Sequence, residues 1–187
     1  FKTKDIKKFR KFKTIAIIGM GGSILGAEAM YNFLEKKIKK KVYFFNDLNF
    51  KKLTDFKKVE NLNETLIFII SKSGNTIETL SNALILNVIN KKSKNVIIIS
   101  EKKNNFLYNL SKKINSFYIE HNKNIGGRYS VLSEVGALPA NLMGLNIKKI
   151  RTCTMKYLKG KDKKFLEDSS IKLAGLLKSK KIYNIIF

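Results

Sequence analysis

The sequence predicts an α/β domain, a doubly wound and mainly parallel five-stranded sheet flanked by helices. Three observations point there. Short unbroken apolar runs rich in β-branched residues, among them Thr14–Gly19, Leu66–Ile70 and Asn95–Ser100, suit strands buried on both faces of a parallel sheet. Between them lie segments whose apolar residues recur at helical spacing, and regular strand–helix alternation calls for right-handed crossovers. Several strands also end in small, glycine- or hydroxyl-rich turns that lead directly into helices, the place where open α/β sheets hold ligands.

Taken in order, Phe1 to Lys13 is basic with scattered aromatics and reads as a helix end or loop. Thr14–Gly19 is the first strand. Gly19-Met-Gly-Gly-Ser-Ile-Leu-Gly26 opens a helix expected to turn Leu25, Ala29, Phe33, Leu34 and Ile38 toward the core. Val42–Asn46 is the second strand and Phe50–Phe56 a short helix or loop. After the third strand, Leu66–Ile70, the spacing of Ile77, Leu80, Leu84 and Val88 predicts a helix to about Asn90. Asn95–Ser100, Asn105–Leu110 and Ser116–Glu120 follow as strand, short helix and fifth strand. A helical pattern through Val135, Leu138, Leu142 and Leu145 contains Pro139, the sole proline, which predicts a kink or break near Gly136 to Leu138. Two further helices are expected from Ile147 to about Met155 and from Lys163 to Ser179, before an apolar run, Ile182–Phe187, that reads as the start of a strand. The predicted domain covers residues 1–146, and 147–187 reads as the start of a following region. A start at Phe1 and an apolar end make an internal piece of a longer protein the expectation.

Composition excludes several classes. At 187 residues the chain can bury a sizeable core. Its net charge of +24 would ordinarily indicate a nucleic-acid partner. The excess is nearly all Lys, however, with only Arg10, Arg128 and Arg151 as arginines, and it accompanies heavy use of Ile, Asn, Phe and Tyr, the residues of A- and T-rich codons. The lysines are scattered, and no aromatic-and-basic motif of the kind that stacks bases is present, so no nucleic-acid partner is expected. Cys153 stands alone, which excludes a disulfide framework and a cysteine metal site and fits a reducing cytoplasm. No stretch approaches the roughly 20 apolar residues of a membrane-spanning helix, so no membrane partner is expected either.

The chain is organised around Ile67-Phe-Ile-Ile-Ser-Lys-Ser-Gly-Asn-Thr-Ile-Glu78. Ser71, Lys72, Ser73, Gly74, Asn75 and Thr76 bring hydroxyls, an ammonium and a flexible glycine to the carboxyl end of a strand just as a helix begins. Backbone N–H groups at a helix start favour anions, so a phosphate fits this turn. The bland alternative is an N-cap in which Ser73 or Thr76 serves helix geometry alone. The glycine turn after the first strand lets the backbone approach a ligand closely, but it is no dinucleotide fingerprint: Ile24 stands where the third glycine belongs, and no acidic ribose ligand follows Val42–Phe45 except Asp47. In a chain that otherwise uses Lys, Arg128 after Gly126-Gly127 suggests a task for a planar, always-charged fork, the alternative being a structural ion pair. His121, the only histidine, sits in a polar loop and reads as a solvated residue.

Gly19-Met-Gly-Gly-Ser-Ile-Leu-Gly26, Ser71-Lys-Ser-Gly-Asn-Thr-Ile-Glu-Thr79 and Gly126-Gly-Arg-Tyr-Ser-Val-Leu-Ser-Glu-Val-Gly136, in this order, resemble the phosphoglucose isomerase family. The first two blocks indicate the wider sugar isomerase (SIS) fold, and the third is the specific one. The resemblance implies that Ser71, Lys72, Ser73 and Thr76 hold a substrate phosphate, that Gly22 and Ser23 line the sugar site, and that Arg128 stabilises a developing enediolate. It gives Glu78 a supporting role, and it implies a hexose 6-phosphate substrate, no metal or organic cofactor, and a homodimer in the intact protein. The family moves a proton between C1 and C2 of an open-chain hexose 6-phosphate with a glutamate base and a histidine or lysine for ring opening, groups that follow in the second half of the family's chain. Glu134 does not match that base and is expected to lie on a helix surface or to serve the helix dipole at its N-terminus. Gly74-Asn75 replaces the bulkier aromatic and threonine of many isomerases, which bears on substrate choice.

The expected function is glucose-6-phosphate isomerase in glycolysis and gluconeogenesis, cytoplasmic, with this stretch lacking the base and inactive by itself. The alternatives are a non-catalytic sugar-phosphate-binding regulatory module, an isomerase acting on mannose 6-phosphate or an aminosugar phosphate, and a basic nucleic-acid binder.

Overall fold

The computed structural model of the chain describes residues 3–89, 94–160 and 162–180. Five strands, β1 (Thr14–Gly19), β2 (Lys41–Phe45), β3 (Thr65–Ile70), β4 (Val96–Ser100) and β5 (Phe117–Glu120), form one sheet in the order β2-β1-β3-β4-β5. Every pairing is parallel. All the residues of β1, β3 and β4 are buried, which is why these strands read as unbroken apolar runs.

The helices are α1 (Thr3–Ile6), α2 (Leu25–Leu34), α3 (Phe50–Val59), α4 (Ile77–Ile85), α5 (Phe106–Lys113), α6 (Glu134–Leu142), α7 (Ile147–Lys159) and α8 (Lys163–Lys180). Two cores sandwich the sheet. Ile15, Ile17, Leu66, Phe68, Ile97 and Ile99 pack on one face against Ile24 and Ala27 of the α2 region and Val135, Leu138 and Leu142 of α6. Ala16, Ile18, Ile67, Ile69 and Ile98 pack on the other against Leu53 and Phe56 of α3, Ala83 of α4 and Leu107 and Leu110 of α5. Alternate residues of each strand thus serve opposite cores, as the pleat requires.

Residues up to Leu145 form one compact unit and those from Asn146 a second. In the second, α7 and α8 pack together, and α7 carries the exposed Cys153. No described helix is long and apolar enough to cross a membrane.

The structure decides two open alternatives and corrects several expectations. The lead-in is helical, with α1 followed by a 3-10 turn over Lys7–Lys11 that buries Phe9. Phe50–Phe56 belongs to a true helix that runs on to Val59, capped by the Asn49 side chain. Ile38, past the end of α2, packs against the core and Leu34 is half-buried, but Leu25 and Phe33 are 54% and 87% exposed and Ala29 is exposed too. Ile24 and Ala27 take the core instead, because Gly26 lies so close to Val131 that a β-carbon there would sit 2.9 Å from its Cα. That approach fixes the rotation of α2 toward α6. In α4, Ile77 and Leu84 face solvent while Thr79, Asn82 and Ala83 are buried. Asn82 donates to the Asp47 carbonyl at 2.9 Å, so its amide nitrogen has a partner inside, while its Oδ1 has none among the described residues. The helix stops at Ile85 rather than near Asn90, with Asn87 in the left-handed region at φ 52°. Pro139 does not break α6, whose backbone bonds continue on both sides as Ala137 N–H to Ser133 and Met143 N–H to Pro139. The predicted strand at Ile182–Phe187 lies outside the described residues.

Candidate functional site

The sheet order places a switch point between β1 and β3. The chain leaves β1 toward β2 on one side and leaves β3 toward β4 on the other, so the turns after these neighbouring strands diverge and leave a crevice at their carboxyl ends. Gly19 pairs in register with Ile70, and Ser100 with Glu120, so the exits of β1 and β3, and those of β4 and β5, are level. The three sequence motifs occupy this edge.

The turn after β3 gathers its hydroxyls. Ser71 is 2% exposed, held by a ladder bond from its N–H to the Ile99 carbonyl. Its Oγ lies 2.7 Å from Thr76 Oγ1 and 3.3 Å from Ser73 Oγ, and Ser73 Oγ lies 3.4 Å from Thr76 Oγ1. Gly74 N–H donates to Ser71 Oγ at 3.1 Å and Asn75 N–H to Ser73 Oγ at 3.3 Å. No side chain caps α4: Thr76, the residue before it, makes no capping bond. The hydroxyl that would serve an ordinary N-cap is turned to its neighbours, and the first N–H groups of α4 remain open to an anion.

Gly74 makes the turn possible. Its φ is +74°, and a β-carbon would lie 2.0 Å from Asn105 Oδ1. Asn105 is 3% exposed, and its Oδ1 caps α5 through the Tyr108 N–H at 2.9 Å. Leu107 N–H reaches the Gly74 carbonyl at 3.0 Å, and Phe106 N–H reaches Asn75 Oδ1 at 2.8 Å. The start of α5 is therefore knitted to the turn.

Lys72 points elsewhere. Its Nζ donates to the carbonyls of Ile125 at 2.8 Å and Lys123 at 3.1 Å, and lies 3.6 Å from Glu101 Oε1. Glu101 is held below the usual carboxylate range, chiefly by a hydrogen bond from Lys103 and also by Lys72, against the opposing effect of burial. The ammonium ties the β3 turn to the loop that precedes Arg128, a connection no spacing in the sequence reveals.

Gly22 lies in a 3-10 turn, Gly21–Ser23, that meets a second one, Gly127–Tyr129. Ser130, buried, donates to the carbonyls of Gly22 at 2.9 Å and Gly127 at 2.7 Å and staples the two turns. Arg128 is exposed on the second turn, and no described residue pairs with its guanidinium. Ser23 is half-buried beside Gly22, its N–H bonded to the Met20 carbonyl at 3.1 Å. Glu78 is exposed in the first turn of α4.

His121 is not solvated. It is 2% exposed, with its N–H on the Ser100 carbonyl at 2.8 Å and its Nδ1 2.9 Å from Glu134 Oε1, close enough for charge pairing but poorly aligned as a ring hydrogen bond. Burial pushes the Glu134 carboxyl up, but His121, its own N–H and that of Asn122 outweigh this and hold it low. Among the described residues no group of three or more His, Cys, Asp or Glu gathers as a metal site would require. The arrangement brings together three hydroxyls at an uncapped helix start, two close-packed glycine turns, and on one of them a guanidinium that no described residue pairs with.

Comparison with known proteins bears on the family and the fold. The family model for phosphoglucose isomerase matches residues 4–178. A probable glucose-6-phosphate isomerase of Methanococcus maripaludis is 37% identical over 150 residues, which is 75% of this chain and 34% of that protein. A glucose-6-phosphate isomerase of Mycoplasma genitalium is 32% identical over 183 residues, 92% of this chain and 42% of that protein. The crystal structure of a glucose-6-phosphate isomerase from Chlamydia trachomatis matches with a TM-score of 0.65 at 24% identity, over 74% of this chain and 28% of that one, a likeness of fold. The chain spans well under half the length of these curated relatives.

Proposed function

This chain belongs to the phosphoglucose isomerase family, and on that premise we propose that it forms the phosphate-binding part of a glucose-6-phosphate isomerase. The observation that carries the proposal is the convergence of Ser71, Ser73 and Thr76 hydroxyls at the uncapped start of α4, beside a switch-point crevice. Hydroxyl donors and open N–H groups suit a phosphate dianion.

In this reading the 6-phosphate sits in the Ser71–Thr76 turn, with Lys72 contributing positive charge while bracing the neighbouring loop. Gly22 and Ser23 line the sugar. The substrate is open-chain glucose 6-phosphate or fructose 6-phosphate, and the reaction moves a proton between C1 and C2 through an enediolate. Arg128 stands where its fork can stabilise the charge that develops on the oxygens, an interaction stronger in the transition state than in the ground state. The proton acceptor comes from outside the three motifs, as the resemblance implies; Glu134 is committed to His121 and to the Asn122 N–H at 3.2 Å, and Glu101 to Lys103 and Lys72. The intact enzyme would work in the cytoplasm, in glycolysis and gluconeogenesis, as a homodimer that binds neither nucleic acid nor membrane.

A coupled isomerase assay run beside a binding titration tests this. The 187-residue chain should bind fructose 6-phosphate without turning it over. Turnover by the chain alone would show that a base is present and overturn the division of labour.

A further inference from the structure

Residues 122–133 make an excursion between β5 and α6 with Arg128 near its middle. Its ends meet at one carboxylate. Glu134, the first residue of α6, receives the Asn122 N–H at 3.2 Å on the same oxygen that stands 2.9 Å from His121 Nδ1. The His121 side chain is 1% exposed and that of Glu134 16%. An apolar pair of similar volume would stabilise a core at least as well as a buried charged one, so what a pair like this contributes is fixed geometry. Joining the ends of a loop also removes conformations from everything it carries.

We infer that His121 and Glu134 are positioning residues for Arg128: the pair closes the 122–133 loop and so sets where the guanidinium stands, more tightly when the imidazole is protonated. The inference rests on the reading of Arg128 as the group that meets the reacting oxygens. Other charged groups on the elements that meet here are Lys72, which holds the Lys123 and Ile125 carbonyls from the β3 side, its partner Glu101 after β4, and Glu120, the last residue of β5. Lys72 braces the front of the loop and Ser130 its far side. His121–Glu134 is the brace that gathers both ends of the loop on one carboxylate oxygen.

The test is a pH titration of the chain followed by NMR, reading the His121 ring and the backbone amides of Gly126 to Tyr129, with the amides of β1 and β3 reporting that the fold is intact. The Gly127 and Arg128 amides should follow the His121 midpoint, and Glu134→Gln should abolish that response while the Ser71–Thr76 amides stay in place. Glu134→Asp, which keeps the charge, should restore part of it. Should Glu134→Gln lose the β1 and β3 signals, His121→Gln takes its place, and the Gly127 and Arg128 amides should then lose the pH response they show in the parent. Loop amides that ignore the His121 titration, or follow it equally well in Glu134→Gln, overturn the inference. Fructose 6-phosphate added to the same samples reads the substrate proposal separately: a loop that follows His121 in a chain that ignores the sugar phosphate keeps the clamp and removes the substrate.

Discussion

Gly22 and Gly127 meet backbone to backbone. A β-carbon on Gly22 would lie 2.2 Å from the carbonyl carbon and oxygen of Gly127 and 2.9 Å from the Arg128 nitrogen. Backbone cannot yield as a flexible side chain can, so Gly22→Ala should drive the two turns apart. We predict a loss of about 2 kcal/mol in unfolding free energy, in the range of other overpacking changes, together with weaker sugar-phosphate binding. Gly175→Ala, in the interior of α8 with nothing within 4 Å, should stabilise slightly through helix propensity and leave binding unchanged. Denaturant unfolding of the two variants makes the comparison.

Ser71 can lose its hydroxyl without losing its turn. Gly74 N–H donates both to Ser71 Oγ and to the Ser71 carbonyl, each at 3.1 Å, so one bond survives Ser71→Ala. The variant should fold, and its affinity for fructose 6-phosphate should fall about tenfold, the worth of one hydrogen bond to a charged group. Unchanged affinity in a folded variant would place the phosphate elsewhere.

Lys72→Met separates a brace from a ligand. Removing the ammonium frees the carbonyls of Lys123 and Ile125, so amide hydrogen exchange across 122–130 should quicken even without sugar phosphate. Exchange that stays at its original rate while affinity falls would mean that Lys72 acts on the phosphate alone.

Glu60 predicts an acid-side change in stability far from the site. Burial raises its carboxyl, but hydrogen bonds from Lys41, Tyr43 and Thr14, at 3.1, 2.9 and 3.1 Å, lower it further, for a net fall below the ordinary 4.5. A carboxyl lower in the folded than in the unfolded state adds stability above the unfolded value and loses it as pH falls through the folded one. Lys41 is 68% exposed and screened, so the bonds from Tyr43 and Thr14 carry more of the effect. Glu60→Gln should therefore unfold more readily than the parent at pH 7, with the gap closing under acid. A gap that is constant with pH would assign the effect to packing.

The sheet was legible because burial on both faces leaves β1, β3 and β4 nothing but apolar runs. Helix faces were not, because periodicity gives spacing without phase. The contact of Gly26 with Val131 turns Leu25 and Phe33 outward, and a hydrogen bond to the Asp47 carbonyl admits Asn82 to the interior. The hydroxyl turn after β3, the glycine turns and Arg128 could be found as local strings. Lys72 on two carbonyls, Ser130 between two turns and His121 on Glu134 join residues far apart or hidden among polar neighbours, and one sequence carries no trace of such pairings.

The most direct test is a calorimetric titration of the chain with fructose 6-phosphate, beside a Ser71→Ala, Thr76→Val double variant and at two salt concentrations. Seating of the phosphate in the β3 turn predicts saturable binding to one site, lost in the double variant and only moderately weakened by salt. Heat that salt abolishes and the double variant leaves unchanged, or no binding by a folded chain, would contradict it.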